Sequence, residues 1–239
     1  MVEHIMEPEY CSEICLSEYG IRRCMKVGII GGTGDIGKGM ALRLSQNHEV
    51  IIGSRKEEKA TLSCDACRQC LKELNLPFNL TSSSNQGVVD NSDIIVFSIP
   101  SETLQITIDS LTGLEGKLVV SLMNPMERGD YFRYAPPEEG SAALQLQGML
   151  PDSKVIAAFN NIPAKQWNQI SEILDYSVCV CGDDEEGKKI IMELVNSISK
   201  LEALDAGPLA VSATVEAITP LVINIAKFNK MRDVGVYFR

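Results

Sequence analysis

Gly32, Gly34 and Gly37 stand at the spacing G-x-G-x-x-G, and that spacing lets a polypeptide bring its backbone against a pyrophosphate. The first glycine permits a tight turn, the second a close approach to phosphate, and the third close packing of helix on strand. The flanks fit those roles. Residues 26–30 form a short apolar run suited to a parallel strand buried on both faces, and residues 37–44 carry apolar side chains at helical spacing. A strand, a glycine turn and a helix in that order present free N–H groups and the positive end of a helix dipole to an anion.

About 20 residues further on, an enzyme for NAD places Asp or Glu against the ribose 2′-hydroxyl. Here residues 49–53 read as the second strand, followed by Ser54, Arg55, Lys56 and Lys59. A hydroxyl, a guanidinium and two ammonium groups suit a 2′-phosphate, which a carboxylate would repel. The residues therefore read as an NADP site. A glycine-rich turn in some other α/β protein is the alternative.

Positioning these groups takes a sheet. Residues 93–100, 116–121 and 154–159 are further apolar runs, each ending in a polar or turn-forming sequence, and helical stretches alternate with them. That alternation predicts a Rossmann-type doubly wound parallel sheet of the α/β class, with ligands at the carboxyl ends of the strands. Residues 57–74 read as one amphipathic helix. Residues 128–140, with Tyr131, Phe132 and Tyr134, are either a ligand-facing loop or a surface loop. After Pro163 the pattern changes to a strand at 176–181, a helix at 185–199 and a long apolar helix at 209–230 interrupted by Pro220. The expected organisation is an N-terminal extension at 1–24, an NADP-binding Rossmann domain at 25–162 and a small C-terminal α/β domain at 163–239. The last has more apolar helix face than it can cover alone, which implies a homodimer contact or a lid over the cofactor.

Composition narrows the function. The chain has 239 residues, 45% of them hydrophobic, and a net charge of −10, which argues against nucleic acid and anionic membranes as partners. No apolar run is read as reaching the ~20 residues of a membrane span. Residues 1–24 lack a basic segment followed by an apolar one, so no secretory signal is expected and the cytoplasm is the expected compartment. Met25 directly precedes the first strand, and the leader reads as an extension or an artefact of start-site choice. Among eight cysteines, Cys64, Cys67 and Cys70 resemble part of an iron–sulfur ligand run but lack its further cysteine and proline. On one helix they read as packing residues or exposed thiols. His4 and His48 are the only histidines, and neither is placed to act in catalysis.

Six motifs carry a resemblance: GGTGDIGKG at 31–39, GSRKEEK at 53–59, NIPA at 161–164, VCGDD at 180–184, LDAGPL at 204–209, and TPL at 219–221 with Phe228 and Asn229. From residue 25 to the end, the chain resembles the archaeal NADPH-dependent reductases of the deazaflavin coenzyme F420, the F420H2:NADP+ oxidoreductases. The resemblance implies hydride transfer between nicotinamide C4 and deazaflavin C5 in a cleft between the two domains. It implies that Thr33, Ser54, Arg55 and Lys59 surround the 2′-phosphate, while Gly32, Gly34, Asp35 and Ile36 line the pyrophosphate. Ile99, Pro100, Met123 and Asn124 would flank the nicotinamide. Asn161, Ile162, Thr219 and Val234 would surround the deazaflavin, with Ile162, Thr219 and Val234 positioning the ring and no residue acting as acid or base. Asn160 and Ala217 depart from the family relative, which has histidine and serine there. Lys165, Lys227, Lys230, Arg232 and Arg239 are either a rim for the anionic F420 tail or solvated helix charges. No metal is implied. The alternatives are an NADP-dependent reductase of flavin, ferric chelate or imine, and a noncatalytic NADP-sensing protein.

Overall fold

The computed structural model describes residues 14–17 and 20–239, with side chains from Cys24 onward. His4 and Cys11 lie outside the described residues. Within the leader, β1 (Ile14–Ser17) and β2 (Gly20–Arg23) pair as an antiparallel hairpin. The next elements are β3 (Lys26–Ile30), α1 (Asp35–Leu44), β4 (Glu49–Ser54), α2 (Glu57–Glu73), β5 (Asn79–Ser84), α3 (Asn85–Asn91), β6 (Ile94–Phe97), α4 (Leu104–Ile108) and β7 (Leu118–Ser121). A short hairpin, β8 (Met126–Arg128) and β9 (Phe132–Tyr134), leads to α5 (Ala142–Met149) and β10 (Lys154–Ala157). The chain ends with α6 (Ala164–Asn168), β11 (Tyr176–Gly182), α7 (Glu185–Asn196), β12 (Leu201–Gly207) and α8 (Ser212–Asn229).

Eight strands form one sheet in the order β12-β11-β10-β7-β6-β3-β4-β5. Neighbours are parallel except β10 and β11. From β3 the chain winds through β4 and β5 to one side, then returns to β6, β7 and β10 on the other. The switch point lies between β3 and β6, where such sheets open a crevice for ligands.

The apolar runs are strands because both sheet faces are covered. Val27 and Ile29 of β3 join one core with Ile94 and Val96 of β6, whereas Ile30 joins the other with Ile95 and Phe97. That two-residue alternation between two buried faces explains the near-continuous hydrophobicity. β5, of sequence NLTSSS, lacks that signal and forms by pairing along its length with the edge of β4.

Residues 163–239 add β11 and β12 to the same sheet, with α7 packed over them. The hairpin β8–β9 occupies the segment read as a loop, and the Asn224 carboxamide on α8 holds it. Phe132 N–H donates to Asn224 Oδ1 at 2.8 Å and Asn224 Nδ2 donates to Phe132 O at 2.6 Å.

Two expectations are corrected at α8. Pro220 lies inside the helix without interrupting it. Contrary to the reading that no run reaches spanning length, Leu209–Asn229 has mean hydropathy 1.7 and is long and apolar enough to cross a membrane by length and composition. In the fold it is docked through a polar contact. The Glu216 carboxylate, 0% exposed, accepts from Ala142 and Ala143 N–H at 2.9 and 3.0 Å and from Tyr134 Oη–H at 2.9 Å. It thereby satisfies N–H groups at the start of α5 that helix geometry leaves without partners.

Candidate dinucleotide cleft

The turn from β3 to α1 is built on glycines whose roles the geometry distributes. Gly31, φ +78°, adopts the left-handed region, and a β-carbon on it would lie 2.4 Å from Ser98 O. The tight turn therefore falls on Gly31, one residue before the position expected. Gly32 packs instead against β4, where a β-carbon would sit 3.0 Å from Ile52 Cγ2. Gly37 lets α1 rest on the turn, since a β-carbon there would be 2.6 Å from Gly32 Cα. Gly34 caps α1 with no side-chain hydrogen bond, and a β-carbon on it would meet only Gly31 O at 3.5 Å. The start of the helix is thus open for an anion.

Two adjoining cavities lie at these strand ends and share Gly34, Ser98, Ile99 and Pro100. The larger, about 640 Å³, is lined by Thr33, Ser54, Arg55, Lys56 and Lys59. Ser54 is buried and its Oγ accepts Lys56 N–H at 3.3 Å, while the three basic side chains are exposed to the opening. The smaller, about 460 Å³, is lined by Ile36, Leu122, Met123, Met126 and Ala164 together with Asn124, Ser101 and the carboxylates Asp35 and Glu102. One end of the cleft carries three cations, and the other mixes apolar side chains with amide, hydroxyl and acidic groups.

Asn85 also lines the larger cavity, and sequence reasoning missed it. Its Oδ1 is buried without a partner, 3.1 Å from where a Gly53 β-carbon would be. Asn85 opens α3 after a polar strand, so no periodicity or motif marks it. The one available signal is that Gly53, beside the basic cluster, leaves room for it.

The residues expected around a deazaflavin lie behind the walls of these two cavities. Ile162 is 5% exposed and packs in the core that contains Trp167, and its side chain lines neither of the two cavities. Asn161 is buried, and its Nδ2 donates to Ser177 O at 2.8 Å. Thr219 Oγ1 donates to Asn160 O at 2.6 Å. Val234 is half-buried in the C-terminal segment, which Ser177 N–H holds by donating to Val236 O at 3.0 Å. None of these four lines either cavity.

Three of the five basic candidates in the C-terminal part have local partners. Lys165 pairs with Asp233 at 3.6 Å, Lys227 donates to Asp130 O, and Arg239 lies over the Tyr237 ring at 5.1 Å. Buried His48 accepts Met25 N–H on Nδ1 at 3.3 Å. Its Nε2 lies 2.8 Å from Ser197 Oγ, which itself donates to Leu194 O, so the imidazole proton is on Nε2. Cys64 and Cys67 are buried in the core, and burial, then the neighbouring Cys64, pushes the Cys67 thiol up to about 11. Among the described residues no group of His, Cys, Asp and Glu is arranged to hold a metal.

An NADP molecule fits this cleft on its own chemistry. The larger end supplies a hydroxyl and three cations for a phosphate, Gly34 leaves backbone space, and buried Asn124 Oδ1 and Asn85 Oδ1 are acceptors without partners in residues that line the cavities. Residues 26–125 match the family described as NADP oxidoreductase, coenzyme F420-dependent. The F420-dependent NADP reductase of Methanocaldococcus jannaschii is 38% identical over 89% of this chain and 97% of its own length. The F420-dependent NADP reductase of Methanothermobacter thermautotrophicus is 32% identical over 89% of this chain and 94% of its own. A crystal structure of a protein described as an F420-dependent NADP reductase from Arthrobacter shares the fold, with TM-score 0.73 at 24% identity over 90% of this chain and 99% of that one.

Fold and cleft together define a Rossmann-type, NADP-dependent oxidoreductase. Within that class, the chain belongs to the F420-dependent NADP reductase family.

Proposed function

We propose that this protein catalyses reversible hydride transfer between NADPH and coenzyme F420. The observation that carries the reading is one cleft at the sheet's switch point, cationic at the Ser54–Arg55–Lys59 end and walled by Met123, Met126 and Ala164 at the other. Arg55 and Lys59 attract the 2′-phosphate, Ser54 and Thr33 donate to it, and the start of α1 faces the pyrophosphate. Ile99, Pro100, Met123 and Asn124 hold the nicotinamide and keep water from its reactive carbon. The two substrates supply the hydride chemistry, and the protein supplies binding and alignment.

In this reading residues 25–162 hold NADP(H), and residues 163–239 complete the F420 cleft and carry the dimer contact. Residues 1–24 form an N-terminal extension. Asn161, Ile162, Thr219 and Val234 act from behind the cleft, as support for the backbone that the deazaflavin meets. The homodimer reading is supported by α8, where Leu221, Ile225 and Phe228 are exposed at a spacing that puts them on one stripe. Free thiols at Cys64, Cys67, Cys70, Cys179 and Cys181 suit a reducing compartment, here the cytoplasm.

The test is spectroscopic. Purified protein with NADPH is expected to bleach the visible deazaflavin band of F420, and with NADP+ to restore it from the reduced form. Oxidation of NADPH by flavins, ferric chelates or imines with F420 left oxidised would favour the alternative reductase reading.

A further inference from the structure

One backbone carbonyl gathers the elements around the smaller cavity of the cleft. Asn160 O accepts Thr219 Oγ1 from α8 at 2.6 Å and Asn124 Nδ2, just beyond β7, at 2.8 Å. Asn160 returns the contact, its own Nδ2 donating to Met123 O at 3.0 Å. Met123 and Asn124 are cavity walls. The preceding residue, Phe159, has φ +65°, a left-handed conformation that aromatic residues rarely adopt. Such a conformation costs of order 1–3 kcal/mol and persists only where its surroundings over-determine it. Here they do. The Phe159 ring is buried against Trp167, with centroids 5.8 Å apart, and the three hydrogen bonds fix the next residue.

The same carbonyl reaches the third wall. Thr219 belongs to α8, α8 grips β9 through Asn224, and Met126 of the paired strand β8 lines the cavity. The β7 end, the hairpin and the strained 159–160 backbone are therefore linked through one acceptor. Thr219 is fixed by its place in a helix. Asn124 stands beyond the end of β7, outside any helix or strand, and its Nδ2 donates to Leu122 O at a long 3.5 Å and to Asn160 O.

Resting on the hydride-transfer reading, we propose that Asn124 is a positioning residue. Acting with Thr219 on the Asn160 carbonyl, it sets the width of the nicotinamide end of the cleft, and hence the distance between the two rings. A misplacement of about 1 Å in a reacting pair costs on the order of 100-fold in rate, so two hydrogen bonds on one carbonyl can govern the transfer without contributing to coenzyme affinity at the phosphate end.

The experiment compares Asn124→Ala, Thr219→Val and the double variant, with Thr219→Ser as the conservative control. Single-turnover reduction of F420 by bound NADPH is expected to slow about tenfold or more in each single variant, with the NADPH Kd of Thr219→Val within about threefold of wild type and Thr219→Ser close to wild type. Both bonds end on one acceptor, so the double variant is expected to be slower than the worse single variant by far less than the product of the two effects. In the ligand-free protein, amide exchange at 122–126 and 159–162 is expected to accelerate together in both single variants. If Asn124→Ala does not fold, Asn124→Asp keeps the shape and removes the donor. Rates within about twofold of wild type, multiplicative losses, or exchange that rises at only one segment would overturn the proposal. Wild-type protein that leaves F420 oxidised would overturn the functional reading instead, while the exchange comparison would still decide whether the two segments are coupled.

Discussion

Gly39 of α1 lies so close beneath Trp167 of α6 that a β-carbon on it would fall 2.3 Å from Trp167 Cβ and 2.7 Å from the Trp167 carbonyl carbon. Asn168 Nδ2 donates to Asp35 O at 2.8 Å beside this contact. The Arg43 guanidinium, buried, donates to the carbonyls of Trp167, Gln166, Gln169 and Glu172. Burial lowers the Arg43 pKa, partly offset by the Glu172 charge. The helix that begins at the glycine turn is thus locked to the helix whose first residue, Ala164, lines the smaller cavity.

Gly39→Ala should force these two helices apart. Overpacking of this kind costs about 1–3 kcal/mol, so the urea midpoint should fall, and NADPH binding should weaken as the start of α1 shifts. A midpoint equal to wild type would mean that the contact yields without strain.

Coenzyme choice should follow Arg55. A hydrogen bond to a charged group contributes about 1.5–3 kcal/mol. Arg55→Ala should therefore lose roughly tenfold to a hundredfold in kcat/KM with NADPH and little with NADH. Equal losses with the two coenzymes, measured by initial rates with F420 as acceptor, would remove Arg55 from the 2′-phosphate site.

The cationic end of the cleft was legible because its residues lie in one local sequence: strand, glycine turn, helix, strand and then Ser54 to Lys59. Local spacing dictates local geometry there. Leu122, Met126 and Ala164 at the other end were not legible, and neither was Asn85 at the cationic end, because they come together only when separate strands align. The packing of Ile162 was hidden for a related reason. A motif gives the residue's position in the chain, but the left-handed turn at Phe159 helps set the course of the backbone that follows. β5 escaped the hydrophobic pattern since its partner, and not its own composition, makes it a strand. Pro220 proved a weak helix breaker where the surrounding helix is held by Glu216 and Asn224.

Acid sensitivity should trace in part to Asp184. It caps α7 by accepting Gly187 N–H at 2.7 Å and pairs with Lys154 at 3.1 Å. The Gly187 bond first, then Lys154, holds its carboxyl below the ordinary value of 3.8. A depressed folded pKa means that the unfolded chain binds more protons in that window. The stabilisation is therefore complete above the ordinary value and lost as pH falls through the lower folded one. Asp184→Ala should cost about 1 kcal/mol at neutral pH. Asp184→Asn, which keeps a cap without the charge, should cost less and converge with wild type on acidification. Urea midpoints taken downward from neutral pH check both.

Self-association should depend on the outer stripe of α8. Leu221 is 57% exposed and Phe228 67%, and a dimer interface of standard size, on the order of 1,600 Å² in total, would cover such residues. Phe228→Glu should shift the sedimenting species from dimer to monomer at micromolar concentration. A wild-type monomer under the same conditions would contradict the homodimer.

The central claim is hydride transfer between a bound nicotinamide and a deazaflavin, and the stereospecific transfer of deuterium tests it most directly. NADPH carrying deuterium at C4 on either face is mixed with the protein and F420, and the reduced deazaflavin is examined by mass spectrometry. The account predicts that label from one of the two faces appears in reduced F420, in equal amount to NADPH consumed. Loss of NADPH without label in F420, or label from both faces alike, would contradict it.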